Sequence, residues 1–256
     1  MIKVETILVG GMMQSGSHLL FNLIRILLEE LECGVKIRVA GNPTGYVKEA
    51  TNNNRTFVLD REHFFNHSRY SSTRHALDYC VLSYRDPRDT ASSWSLKNGE
   101  KKHGSILGRV GENIKVFESY NCLDSNKLLK WRYEDYKRAL IEEKKENLYD
   151  LFSKLVSFLS LQNERNTKKS FNLLVDKIVF EAETEIDRAW NSAGPLNEKG
   201  LVAHNTAHWK KTSLVQKVRT SNKGKIGGFR DNLSPELIDA MESFYGDWLR
   251  EHGYMK

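Results

Sequence analysis

The sequence predicts an α/β protein, a central parallel sheet flanked by helices, and two observations carry that prediction. Four short apolar or β-branched runs, Ile7-Leu8-Val9, Thr56-Phe57-Val58-Leu59, Cys80-Val81-Leu82 and Leu128 to Trp131, alternate with segments of helical pattern. The first run ends in Gly10-Gly11, and a loop of small residues then leads into a helix. Strands alternating with helices favour a parallel sheet covered on both faces. A chain of 256 residues is long enough to bury one large core, so residues 1–256 are read as a single domain.

Each element has its own warrant. Ile2 to Val9 is a strand, and Met12 to Ser17 a loop. His18 to Leu31 is apolar on most faces, as a helix packed on a sheet must be. Arg55 to Asp60 and Tyr79 to Tyr84 are the next strands. Pro87 marks a turn, and Asp89 or Thr90 is suited to cap the helix that follows. Residues 136 to 160 carry a helical stripe of Leu140, Leu148, Leu151, Phe152, Leu155, Val156 and Leu159. Ser234-Pro235-Glu236 is a helix start, a cap followed by proline in the first turn, and that helix runs to about Gly253. Residues 97–125 and 162–222 are polar and weakly patterned, and are expected to be surface loops or a lid on the acceptor side.

Composition narrows the function classes. The longest apolar stretch, Leu19 to Leu31, is interrupted by Asn22, Arg25, Glu29 and Glu30, too short and too polar to span a membrane. No basic region with a signal-type core opens the chain. Three cysteines, Cys33, Cys80 and Cys122, are widely spaced and read as reduced thiols, so the expected location is cytoplasmic. The net charge of +6 suits a solvated surface or an anionic ligand steered to a cleft. The basic residues are scattered, without a basic helix stripe or finger spacing, so nucleic acid is not the expected partner.

Chemistry is expected in the loops after the first and third strands, because ligands in open parallel sheets bind at the carboxyl ends of the strands. The first loop reads Gly10-Gly11-Met12-Met13-Gln14-Ser15-Gly16-Ser17-His18. It points backbone N–H groups and a helix N-terminus at one spot, which suits phosphate or sulfate. Gly11 and Gly16 have the spacing of G-x-x-x-x-G-K-[ST], but Ser17 and His18 stand where the lysine and the magnesium-binding hydroxyl belong. A magnesium-dependent kinase is therefore disfavoured.

The second loop reads Tyr84-Arg85-Asp86-Pro87-Arg88-Asp89-Thr90-Ala91-Ser92-Ser93. A strand delivers Arg85 at its tip, and a helix brings Ser93 back toward the same point, a fork for a terminal phosphate. This segment resembles the 3′-phosphate motif R-[ND]-P-[RK]-D-x-x-x-S of the sulfotransferases that use 3′-phosphoadenosine-5′-phosphosulfate (PAPS). Three more segments resemble that family in order. Met13 to Leu20 is similar to its 5′-phosphosulfate loop, P-K-S-G-T-T-W-L. Trp131-Arg132-Tyr133-Glu134-Asp135-Tyr136 is similar to the strand end Y-E-D, whose tyrosine contacts adenine. Lys223-Gly224 to Glu236 is similar to the C-terminal segment that closes over the 3′-phosphate.

The resemblance implies a P-loop-like sulfotransferase fold that moves a sulfuryl group from PAPS to a hydroxyl or amine of a small-molecule acceptor, with adenosine 3′,5′-bisphosphate (PAP) as product and no metal. Gln14, Ser15, Gly16, Ser17, His18 and Leu19 fall on the positions around the 5′ end. Arg85, Ser93, Lys223 and Gly224 fall on those around the 3′-phosphate, and Tyr133 on the adenine contact. The family's general-base histidine falls on His63, in Arg61-Glu62-His63-Phe64, with His67 and Glu62 as further candidates. Departures stand out. The loop lysine is Gln14, which brings no charge, so Arg61 or Lys223 is the candidate cation in its place. The adenine-stacking tryptophan is Leu19, and the C-terminal arginine is Asn222. A catalytically weak nucleotide binder on the same scaffold and a small-molecule kinase are the alternatives. His204, His208 and Trp209 are possible lining residues, and oligomeric state is not legible.

Overall fold

The computed structural model describes residues 3–39, 42–49, 55–65, 77–99, 102–142, 144–161, 168–192 and 225–256. Among them, six strands form one sheet: β1 (Lys3–Gly11), β2 (Gly34–Val39), β3 (Asn42–Lys48), β4 (Arg55–Arg61), β5 (Tyr79–Tyr84) and β6 (Leu128–Arg132). Their order is β3-β2-β4-β1-β5-β6. Five strands run parallel, and β3 is antiparallel to β2 at one edge. The helices are α1 (Ser17–Glu30), α2 (Pro87–Asn98), α3 (His103–Glu118), α4 (Tyr133–Ile141), α5 (Lys145–Phe158), α6 (Lys168–Ser192), α7 (Phe229–Asn232) and α8 (Pro235–Glu251).

Alternation along β1 explains why both faces are covered. Ile7 and Val9 point to one side and join a cluster with Leu23, Leu27, Phe57, Leu59, Phe152, Leu155, Val175 and Ile178, built from α1, α5 and α6. Leu8 points to the other side and joins Cys80, Leu82, Phe117 and Tyr120. A third cluster locks α2, α3 and α8 together through Ala91, Val110, Ile114, Phe229 and Met241. No helix among the described residues is long and apolar enough to cross a membrane.

Register places the site. Val9 lies opposite Arg61, and Gly11 opposite Ser83. The carboxyl ends of β1, β4 and β5 therefore open at one level. From β1 the chain passes to β2 on the β4 side, and from β4 it crosses to β5 on the other side of β1, so the crevice of the strand-order reversal lies at the carboxyl end of β1.

The structure corrects several local expectations. The cap of α2 is Asp86, whose carboxylate accepts from Arg88 N, with Pro87 at the first helical position. Asp89 and Thr90 lie inside the helix and serve other partners. The stripe over 136–160 belongs to two helices, α4 and α5, separated around Glu142. Two segments expected as loops contain helices. The first is α3, whose Ile106, Val110, Asn113, Ile114 and Phe117 recur at helical spacing. Its glycines dilute that stripe, and Gly111 is there because the Tyr245 hydroxyl approaches to 2.7 Å of where a Cβ would lie. The second is the long α6. Strands β2 and β3 were not expected.

Candidate functional site

The loop between β1 and α1 is held from three directions. Met12 N donates to the Ser83 carbonyl at 3.2 Å. The Ser15 hydroxyl is placed to donate to the Met12 carbonyl at 2.7 Å or the Ser83 carbonyl at 3.1 Å, and the Ser83 hydroxyl donates to the Ser15 carbonyl at 2.7 Å. Ser15 is completely buried, so its hydroxyl shapes the loop from within. Met13 N donates to Asn113 Oδ1 at 2.8 Å, and Asn113 Nδ2 donates to Thr90 Oγ1 at 2.7 Å. One buried asparagine thus ties the loop to both α2 and α3.

Gln14 and Gly16 both take left-handed backbone conformations, with φ of 68° and 82°. Gly16 precedes α1 without a side-chain cap, so the first-turn N–H groups of the helix face the loop concavity unclaimed by a capping side chain. Donors and helix end together form an anion cradle. Ser17 is buried and His18 half-buried in that first turn. Leu19 sits in the core beneath the sheet face.

Arg85 stands at the tip of β5, with only 3% of its surface exposed. Its guanidinium meets Asp89 at 3.4 Å, lies 4.8 Å from the centre of the Tyr133 ring, and donates to the Lys225 carbonyl. Its Nε is buried and has no hydrogen-bond partner among the described residues. Ser93 is buried two turns along α2. Asp89 accepts from Gly227 N at 2.8 Å and Phe229 N at 3.0 Å, which clamps the C-terminal segment over Arg85. Burial pushes the Asp89 carboxyl above its ordinary range, against the pull of Arg85 and the two amides. Lys223 and Gly224 lie outside the described residues, as do His67, His204, His208 and Trp209.

The motif around Arg85 divides its labour. Arg85 and the buried Asp89 pair with one another under the C-terminal segment. Asp86 and Arg88 build the frame: Arg88 forks onto Asp86 at 2.7 Å, pairs with Glu242 on α8 and donates to the Tyr254 carbonyl at 2.8 Å. Buried Glu134 accepts from Asp86 N at 2.8 Å and from the Tyr254 hydroxyl at 3.3 Å. Its carboxyl is also raised by burial. Tyr133, the residue before it, packs against both Gly16 and Arg85, and so joins the two loops.

His63 sits at the third strand end. Its Nδ1 lies 2.8 Å from the Gly11 carbonyl. A carbonyl only accepts, so Nδ1 carries a proton, and in that tautomer Nε2 is the acceptor nitrogen. Arg61 Nη1 lies 3.2 Å from His18 Nδ1. A guanidinium only donates, so that nitrogen of His18 is the acceptor. The Glu62 carbonyl accepts from the Tyr120 hydroxyl at 3.1 Å. The structure therefore gathers Gln14, Gly16, His18, Arg61 and His63 at one crevice, with Arg85 and Tyr133 alongside.

Sequence reasoning missed Asn113, Asp89 and Arg109. Arg109 Nη1 lies 3.0 Å from Met13 Sδ, and its guanidinium carbon 4.7 Å from the centre of the Trp94 ring. The available signal was a polar Asn113 on the inward face set by Val110, Ile114 and Phe117. No group of three or more metal-ligating side chains occurs among the described residues.

No protein-family model matches the chain, and no curated protein matches it in sequence. Solved structures do match in three dimensions. The chain is similar to a mouse sulfotransferase, SULT7A1, complexed with PAP, at 11% identity and a TM-score of 0.55, covering 98% of this chain and 84% of that one. It is also similar to retinol dehydratase complexed with retinol and PAP, at 14% identity and a TM-score of 0.53, covering 95% of this chain and 81% of that one. A second retinol dehydratase structure, with androsterone and PAP, matches to the same degree of identity and TM-score. At these identities the likeness establishes the fold: a central parallel sheet flanked by helices, as in the sulfotransferases.

Proposed function

We propose that the protein is a sulfotransferase that takes PAPS as donor and sulfates a hydroxyl or amine of a small-molecule acceptor. The observation that carries this reading is the pairing of two anion sites one strand apart. One is the uncapped α1 end with its glycine loop. The other is buried Arg85, whose Nε lacks a protein partner among the described residues. A nucleotide with phosphate at both 3′ and 5′ positions fits such a pair, and the orphaned Nε fits an anionic oxygen. The PAP-bound structures that share the fold support the same assignment.

PAPS supplies a sulfuryl group whose bond to the 5′-phosphate oxygen breaks as a bond from sulfur to the acceptor heteroatom forms. The backbone amides of Gly16, Ser17 and His18 hold the 5′ end. Gln14 offers its side-chain amide beside the bridging oxygen, and Ser15 fixes the loop that presents it. Arg85 and Ser93 hold the 3′-phosphate, with Lys223 and Gly224 from the C-terminal segment. Tyr133 flanks the adenine. His63, oriented by the Gly11 carbonyl, takes the acceptor proton on Nε2. Rate enhancement then comes from positioning and preorganised charge.

Calorimetric titration with PAP and with AMP tests the reading. Two or more charge-assisted bonds at about 1.5 kcal/mol or more each predict that Arg85→Ala weakens PAP binding by roughly 100-fold. AMP, which lacks the 3′-phosphate, binds both forms equally weakly. Equal binding of PAP and AMP by the wild type would sink the proposal.

A further inference from the structure

We propose, on the premise that the loop holds the 5′ end of a PAP-type nucleotide, that Arg109 supplies the side-chain positive charge for that end. Residues 12–18 contain no lysine or arginine. Within them the Ser15 hydroxyl is committed to main-chain carbonyls, and His18 Nδ1 accepts from Arg61. A helix end contributes about half an elementary charge, whereas a terminal phosphate carries roughly −1.5 to −2 at neutral pH. The balance has to come from outside the loop.

Arg109 is built for it. It lies on α3 one turn before Asn113, the residue that accepts from Met13 N, so the helix is docked on the loop at that point. Its guanidinium touches Met13, the neighbour of Gln14, and stacks on Trp94, the neighbour of Ser93. It is thus wedged between the start of the loop and the part of α2 that carries the 3′-side serine. Stacking on the ring fixes the plane of the fork. Its side chain is only 19% exposed, and beside the Glu112 carboxylate at 2.7 Å, itself on a side chain 56% exposed, its other acceptor is only a thioether sulfur. Arg109 Nε is buried with no hydrogen-bond partner among the described residues. Five donors face fewer good acceptors, and an anion at the loop corrects that deficit. A purely structural arginine here would pin α3 to α2 without affecting how the 5′ end of a nucleotide is recognised.

The test compares PAP with adenosine 3′-phosphate, which lacks the 5′ group, by calorimetric titration of the full chain. The Kd of adenosine 3′-phosphate divided by that of PAP measures recognition of the 5′ end alone. Arg109→Gln is expected to lower that ratio about tenfold or more and to leave the Kd of adenosine 3′-phosphate within about twofold, since a charged partner is worth about a decade or more. Arg109→Lys, which keeps the charge, is expected to retain most of the ratio. Should the glutamine variant fail to fold, Arg109→Met preserves the apolar stem over Trp94 and takes its place. An unchanged ratio, with PAP still bound in an Arg85-dependent way, overturns the role of Arg109 and leaves the nucleotide assignment standing. Failure of PAP to bind the wild type overturns both.

Discussion

Gly16→Ala is a sharp probe of the site because one methyl group meets two obstacles. The first is conformational: Gly16 has φ of 82°, where an alanine costs about 1–2 kcal/mol. The second is steric: a Cβ there would lie 2.5 Å from Tyr133 Cδ2, against an ordinary carbon contact of about 3.5–4.0 Å. The ring must retreat by about an ångström, yet Tyr133 is only 6% exposed and belongs to the main core. Overpacking of this kind typically costs about 1–3 kcal/mol. The sum is roughly 2–5 kcal/mol, which for a chain of this size lowers Tm by roughly 5–15 °C. Thermal unfolding followed by circular dichroism measures it. In a Tyr133→Ala background only the conformational part should remain, so the cycle should show a coupling of about 1–3 kcal/mol. A cost that is the same in both backgrounds would refute the contact between loop and ring. PAP affinity should fall with the same substitution, because Arg85 packs on that ring.

Three further outcomes are expected. Asn113→Leu strands Met13 N in the interior, while Thr90 Oγ1 keeps its bond to the Pro87 carbonyl, and should cost about 1–3 kcal/mol in urea unfolding, with the slope unchanged. For Asp89, burial raises the folded-state pKa above the ordinary 3.8, so its stabilising contribution is full below that value and declines as pH rises through the folded pKa. The wild-type advantage over Asp89→Asn should therefore be larger near pH 3.5 than near pH 7, and an advantage that grows with pH contradicts the assignment. Of the three cysteines, exposed Cys122 should react with an aromatic disulfide reagent in the native state. Cys33, pushed up to about 11 by burial, and fully buried Cys80 should react only after unfolding.

The strand–loop–helix framework around the candidate site was legible in the sequence because that framework is local. A glycine loop between a strand and a helix, and an arginine at a strand tip followed by a proline-started helix, are short-range patterns with one geometric outcome each. What escaped was of another kind. Helix α3 keeps a helical apolar spacing, but Gly104, Gly108 and Gly111 thin it, and the need for Gly111 lies in Tyr245, far along the chain. In β2, which lies next to the edge strand, Val35 and Ile37 are buried while Lys36 is exposed, too short an alternation to stand out beside the runs of the central strands. The roles of Arg85 and Arg88 could not be told apart by residue type, since burial and carboxylate partners from Asp86 and Glu242 make Arg88 a frame residue. Ser15 lies where a ligand contact was expected, yet its hydroxyl serves the main chain.

These internal ties bear directly on how the site would select its nucleotide. Tyr133 spans Gly16 and Arg85, the Ser15–Ser83 exchange binds the loop to β5, and Asn113 binds the loop to α2. The loop before α1 and Arg85 are therefore tied to one another by buried contacts, and on the proposed function these ties set the separation of the 5′ and 3′ cradles. Preorganisation of that kind lowers the entropic cost of engaging the second phosphate once the first is held. On the proposed function, affinity should rise more steeply for a molecule carrying both phosphates at the right separation than for one carrying either alone. Ser83 and Thr90 contribute to that selectivity through the loop and α2, which hold the two cradles at one separation.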